Sequence, residues 1–194
     1  MAADVRSKMV LGAVQLLAQR GLQSTSFSEV LALTGAPRGS VYHHFPDGKD
    51  QLVGAAVDLA GDFLVGALEQ KAGASAEAVT DHFLAIWRAV LTRSGNGAGC
   101  AVLAVTVATD SPALLAHATN VFRTWRTRLG TLLQQGGLTP AIARQFATTL
   151  IASAEGAVVL SRAEQDIEPF DTVAKQLRDQ IRRMMAATKE KDKK

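Results

Sequence analysis

Apolar residues recur at three- and four-residue spacing along nearly the whole chain, and β-branched residues never alternate cleanly with polar ones over a useful length. That period commits the chain to helices that each bury one face. The first stripe is Val5, Met9, Ala13, Leu16 and Leu17; a longer one runs Leu114, Ala118, Val121, Phe122, Trp125, Leu129, Leu132 and Leu133. Glycine and proline set the boundaries: Gly21, Gly35-Ala36-Pro37, Pro46-Asp47-Gly48, the Gly-rich loop Ser94 to Gly99, Ser111-Pro112, Gly136-Gly137, Thr139-Pro140 and Pro169. The expected fold is all-α, with about nine helices and no internal repeat.

The chain has 194 residues, 47% of them hydrophobic, enough for a packed core and too apolar for an intrinsically disordered chain. A single cysteine, Cys100, excludes a disulfide scaffold and fits a reducing cytoplasm. Arg6 and Lys8 precede an apolar stretch as in a leader, but Gln19-Arg20 follows where a small-residue cleavage site belongs. No run approaches the length of a membrane span; the most apolar piece, Cys100 to Ala108, is about half of it. A cytoplasmic location with no membrane partner is therefore expected. The net charge is +3, and the lysine-rich end from Lys189 to Lys194 supplies +2 of it. Total charge thus carries no case for nucleic acid; particular residues must.

Such residues sit near the N-terminus. Ser26-Phe27-Ser28-Glu29 has the pattern of a capping box, opening a helix to about Thr34 with Phe27, Val30 and Leu33 available for burial. After the Gly35 turn, Arg38 to Phe45 makes a short third helix, completing a helix-turn-helix unit. Val41 and Phe45, at i and i+4, face inward, which directs Arg38, Gly39, Ser40, Tyr42, His43 and His44 outward or sideways. Arginine can donate a bidentate pair to guanine, and Ser40 can bond several base edges. Tyr42, His44 and Lys49 suit phosphates, Ser28 lies at the positive end of the second helix, and Gly39 removes a side chain where backbone must approach. Adjacent histidines point to different faces of a helix and no ligand set joins them, so no metal or cofactor is expected.

The run Thr34-Gly35-Ala36-Pro37-Arg38-Gly39-Ser40-Val41-Tyr42-His43-His44-Phe45-Pro46-Asp47-Gly48-Lys49-Asp50-Gln51-Leu52 closely resembles the signature of TetR-family transcriptional repressors. Gly99-Cys100, Glu155-Gly156-Ala157 and Leu160-Ser161-Arg162-Ala163 are similar to the LmrA-like branch. The resemblance implies that Arg38, Gly39, Ser40, Tyr42 and His43 lie in or near the major groove of operator DNA, with phosphate contacts from Ser28, Tyr42, His44 and Lys49. Pro37 departs from the pattern, standing where many members have Ser or Thr.

The same resemblance implies a DNA-binding domain over residues 1–48 and an effector-binding and dimerisation domain over 49–188; the charged residues 189–194 read by themselves as a disordered tail. Phe63, Phe83, Trp87, Cys100, Phe122, Trp125 and Leu129 lie on helices that would enclose a small apolar effector, although a plain core reads the same way. No carboxylate stands among them, which favours an uncharged or weakly cationic molecule. Small residues late in the chain, with apolar partners on the last helix, mark an interface, and the resemblance implies that it is a homodimer's, through Ala147, Ile151, Ala154, Gly156, Leu177, Ile181 and Met184. Enzymatic use of Cys100 with His82 or His117 lacks an orienting third group and an oxyanion motif, so no enzyme is expected. Gly95 to Gly99 lacks the Lys-Ser/Thr ending of a phosphate loop, and Arg123, Arg126 and Arg128 read as a solvated face or as ion pairs. The expected function is a repressor released from a palindromic operator by its effector.

Overall fold

Serine and glycine punctuation sets where the helices begin and end. The computed structural model describes the backbone of residues 2–191 and the side chains of residues 5–188. Among these it contains nine α-helices and no strand: α1 (Ala2–Arg20), α2 (Phe27–Thr34), α3 (Val41–His44), α4 (Lys49–Glu69), α5 (Ala76–Arg93), α6 (Ala101–Ala108), α7 (Pro112–Gln135), α8 (Pro140–Glu164) and α9 (Glu168–Lys191). A single 3₁₀ turn, Arg38–Ser40, leads into α3. The expected tail falls partly within α9, and residues 192–194 lie outside the described residues.

At the start of α2, Ser26 Oγ accepts the Glu29 amide at 3.2 Å. The reciprocal half of the capping box is not made; the Glu29 carboxylate instead takes the Arg20 guanidinium at 2.7 Å. Gly35 ends the helix at φ 66°, a left-handed conformation that costs glycine little. Ser75 caps α5 by accepting the Ala78 amide at 3.2 Å, and Cys100 caps α6, its Sγ accepting the Leu103 amide at 3.3 Å.

The chain divides into two compact units, residues 1–63 with 100–122 and residues 64–99 with 123–194. In the first, α1 packs on α2 and α6. Met9, Ala13, Leu17, Val30, Val41, Phe45 and Val53 are buried there. A Cβ at Gly12 would stand 2.5 Å from Thr34 Cγ2, so the close crossing of α1 and α2 leaves no room for a side chain. In the second unit α5, α8 and α9 pack on one another around Phe83, Phe146, Leu150, Phe170, Leu177 and Ile181. The buried Ser161 hydroxyl oxygen accepts the Phe170 amide at 3.1 Å, fixing the α8–α9 corner. Paired hydrogen bonds of 2.8 and 3.0 Å join Arg88 to Asp171, and Arg178 meets Asp81 at 2.8 Å.

Leu33 is exposed rather than buried, and Val30 alone fills that position on α2. On α4, Phe63 does not face inward with the other expected effector residues. Leu52, Val53, Ala56, Val57, Leu64 and Leu68 are buried, and Phe63 is 55% exposed. The reason is α7, which lies against Gly54 and Gly61: added Cβ atoms there would stand 2.9 Å from His117 Nε2 and 2.8 Å from Val121 Cγ2. Glycines one heptad apart set the phase of the helix. The same helix corrects the expectation that no run approaches the length of a span, because its 21 residues are long and apolar enough to cross a bilayer by length and composition. Its buried stripe and its Asp58 and Asp62 on the exposed side are those of a core helix.

Candidate nucleic-acid interface

The helix α3 is only one turn long and depends on its neighbours. Val41 and Phe45 are 3% and 0% exposed, and Phe45 packs against Phe27 with ring centroids 6.4 Å apart. The Arg6 guanidinium covers the Phe45 ring at 5.5 Å, a cation–π contact that closes this small core from α1. With that face anchored, the other side of the turn and helix is left in solvent. Arg38, Gly39, Tyr42 and His43 are exposed, Ser40 and His44 are half-buried, and Tyr42, at 76%, is the most exposed of the large hydrophobic side chains among the described residues. A Cβ at Gly39 would meet nothing within 4 Å, so nothing inside the chain demands glycine there.

The remaining expected contacts are partly engaged at home. Ser40 Oγ donates to the Pro37 carbonyl at 2.6 Å, which leaves its lone pairs rather than its proton for a partner. Lys49 Nζ donates to the Leu22 carbonyl at 3.0 Å, tying the start of α4 to the chain after α1; two ammonium protons stay available. The Ser28 and Ser26 hydroxyls share a hydrogen bond of 2.8 Å at the exposed N-terminus of α2. Together these groups form a ledge of donors with the Arg38 guanidinium, which has no acidic partner among the described residues, and an exposed phenol one turn away. Such a ledge can bond base edges and backbone oxygens.

The expected effector residues divide. Phe83, Trp87, Trp125 and Leu129 are buried in the second unit, where the two indoles meet edge to face at 6.4 Å. Trp87 Nε1 is buried and has no hydrogen-bond acceptor among the described residues. In the first unit, Cys100 is buried and Phe122 half-buried. Phe63 instead borders an open groove of about 400 Å³ with Arg6, Val10, Leu11, Asp58 and Leu59. His82 and His117 are held elsewhere: the first donates to the Ala67 carbonyl at 2.9 Å, the second bonds Asp58 at 2.9 Å.

The expected dimer residues are corrected in phase. Ala147, Ile151, Ala154, Leu177 and Ile181 are buried within the chain, since α8 and α9 turn those faces to each other and to α5. Gly156 is exposed and Met184 half-buried. The solvent face of α8 carries Ala152, Gly156, Val159 and Leu160, the last two each 50% exposed. The sequence held the signal: once Phe146, Leu150, Ala154, Val158 and Ser161 are read as the inward stripe, these four fall outside it.

Of the three arginines on α7, Arg128 forms a two-toothed pair with Glu69. That hydrogen bond holds the Glu69 carboxyl below its ordinary value and the guanidinium above its own. Arg123 and Arg126 are exposed.

Comparison with known proteins follows the same outline. Residues 10–56 match the family of bacterial regulatory proteins of the tetR type, and residues 75–176 match the C-terminal domain of LmrA/YxaF-like transcriptional regulators. An uncharacterised HTH-type transcriptional regulator of Mycobacterium tuberculosis is 33% identical, over 90% of this chain and 92% of its own length. The HTH-type transcriptional regulator LmrA of Bacillus subtilis is 27% identical over 93% of this chain and 98% of its own. Among solved structures, a TetR transcriptional regulator from Chloroflexus aurantiacus superposes with a TM-score of 0.77 at 28% identity, covering 93% of this chain and 95% of that one.

Proposed function

Because the chain belongs to the TetR family of bacterial transcriptional regulators, with a C-terminal domain of the LmrA/YxaF type, we propose that it is a dimeric repressor released from a palindromic operator by a small apolar effector. The family and the relatives are regulators rather than enzymes. The observation that carries the reading is the exposed Arg38 and Tyr42 on a turn and helix anchored from behind by Val41 and Phe45. Residues 1–48 read DNA. Arg38 takes a base edge, Gly39 lets the backbone approach, Tyr42 and His43 border the groove, and Ser28, His44 and Lys49 hold phosphates. Ser40 contributes as an acceptor.

Residues 49–188 supply effector binding and dimerisation. The effector is an uncharged or weakly cationic apolar molecule at Phe83, Trp87, Trp125 and Leu129, and the unpaired Trp87 Nε1 gives it one hydrogen-bond donor to meet. A second copy covers the solvent face of α8 at Ala152, Gly156, Val159 and Leu160, with Met184 beside it. Two heads one helical turn apart, at about 34–36 Å, then face two half-sites. Effector and DNA antagonise each other by the same factor, typically about 1–3 kcal/mol of coupling.

A gel shift with DNA flanking the gene tests the head. The Arg38→Ala variant should bind more weakly by about 1–3 kcal/mol and lose preference at one base pair of each half-site. Unchanged affinity and base preference would remove Arg38 from the reading.

A further inference from the structure

The α7–α8 side of the second unit carries a groove that the DNA, effector and dimer assignments leave unused. It measures about 200 Å³ and is bordered by Arg126, Thr127, Gly130 and Thr131 from α7 and by Arg144 and Thr148 from α8. Beside the groove α7 and α8 come within van der Waals range at Gly130, where an added Cβ would stand 3.8 Å from Arg144 Cα. That crossing brings the two arginines to one groove, one from each helix.

The charge around them is one-sided. The 24 residues of α7 include no carboxylate, and α8 has none before Glu155. Arg128 on the same helix has recruited Glu69, and Arg162 reaches the Gly97 carbonyl, but among the described residues neither Arg126 nor Arg144 has an acidic partner. Both are exposed, and the groove they border holds no acidic side chain. Thr131 and Thr148 donate their hydroxyls at 3.0 and 3.1 Å to the Thr127 and Arg144 carbonyls. Those bonds are replaceable, since helical carbonyls keep their amide partners when a threonine hydroxyl rotates away. Two guanidinium forks and two rotatable hydroxyls around a small concavity match an oxyanion of two or more charges.

We propose that this groove binds a small multivalent oxyanion, the phosphate or diphosphate group of a soluble metabolite, clamped between Arg126 and Arg144. The volume accommodates such a group and is too small to enclose a nucleic-acid strand. Binding here is independent of the apolar effector and of the operator.

The test is calorimetric titration of the full-length protein with sodium pyrophosphate at low ionic strength, free of divalent metals. One saturable site per chain is expected. The Arg126→Gln/Arg144→Gln double variant should weaken it about tenfold or more, a change of about 1.4 kcal/mol. Arg123→Gln, on the same helix outside the groove, should leave it unchanged, with helical circular dichroism matching the wild type for both variants. No saturable heat, or equal weakening in Arg123→Gln, would overturn the proposal. So would a double variant that binds pyrophosphate normally but changes the monomer–dimer equilibrium, because the arginines would then belong to a subunit contact.

Discussion

Gly61 and Gly66 stand five residues apart on α4, and a methyl group at each should act in opposite directions. At Gly61 it would press on Val121, whose two methyl carbons lie 2.8 and 3.0 Å from the added atom and whose β-branched side chain has little freedom to turn away. Gly61→Ala should lower stability by about 1–3 kcal/mol. At Gly66 the added atom meets nothing within 4 Å, and nothing in the structure explains the glycine. Gly66→Ala should raise stability by about 0.4–1 kcal/mol through the unfolded chain. Thermal unfolding of the two variants checks both signs. The contrast also marks what was legible: composition showed three glycines in this helix, but only the packing separates the two that admit α7 from the one that does not. Phe63 was misplaced for the same reason, since hydrophobicity alone cannot tell which of two overlapping stripes a glycine-bearing helix will bury. The ledge of Arg38, Tyr42 and His43 was legible because Val41 and Phe45 four residues apart leave one orientation open.

At the scale of elements, α9 is held to α5 by Arg88–Asp171 and Arg178–Asp81 as well as by its apolar stripe. The Arg88 hydrogen bond holds the Asp171 carboxyl below its ordinary value, as Arg128 does for Glu69. Lowered folded values mean that these acids bind protons more readily once unfolded. Their stabilisation is therefore full above their ordinary values of 3.8 and 4.5 and is lost as pH falls below them. Both pairs are solvent-accessible, so each contribution is small. Urea midpoints measured from pH 6 to pH 3 should fall chiefly in the acid limb, and the Asp171→Asn variant should show a shallower fall. Helix ends were readable from serine caps and glycine stops, while partners nearly a hundred residues apart, such as Asp81 and Arg178, leave no local trace. Helix phase on α8 lay between these cases: small residues marked a close contact, yet that contact is internal, with α5 and α9.

For the whole molecule, subunit pairing and DNA reading stand or fall together. Val159→Asp puts a charge on the solvent face of α8 without touching the core. Sedimentation should show a monomer with unchanged helical content, and operator affinity should drop about a hundredfold or more as the two heads lose their shared attachment. Residues 1–50 carry five Lys and Arg against four Asp and Glu, so each head neutralises few phosphates and the salt dependence of binding should be modest. A steep slope would place Arg123, Arg126 or the terminal lysines on the DNA as well. The most direct test of the central claim is selection of bound duplexes from a randomised pool by the purified protein and by Arg38→Ala. The wild type should enrich an inverted repeat with half-site centres about one helical turn apart, and the variant should lose the preferred base pair in each half-site. Failure of the wild type to enrich any sequence, or enrichment of the same repeat by the variant, would contradict it.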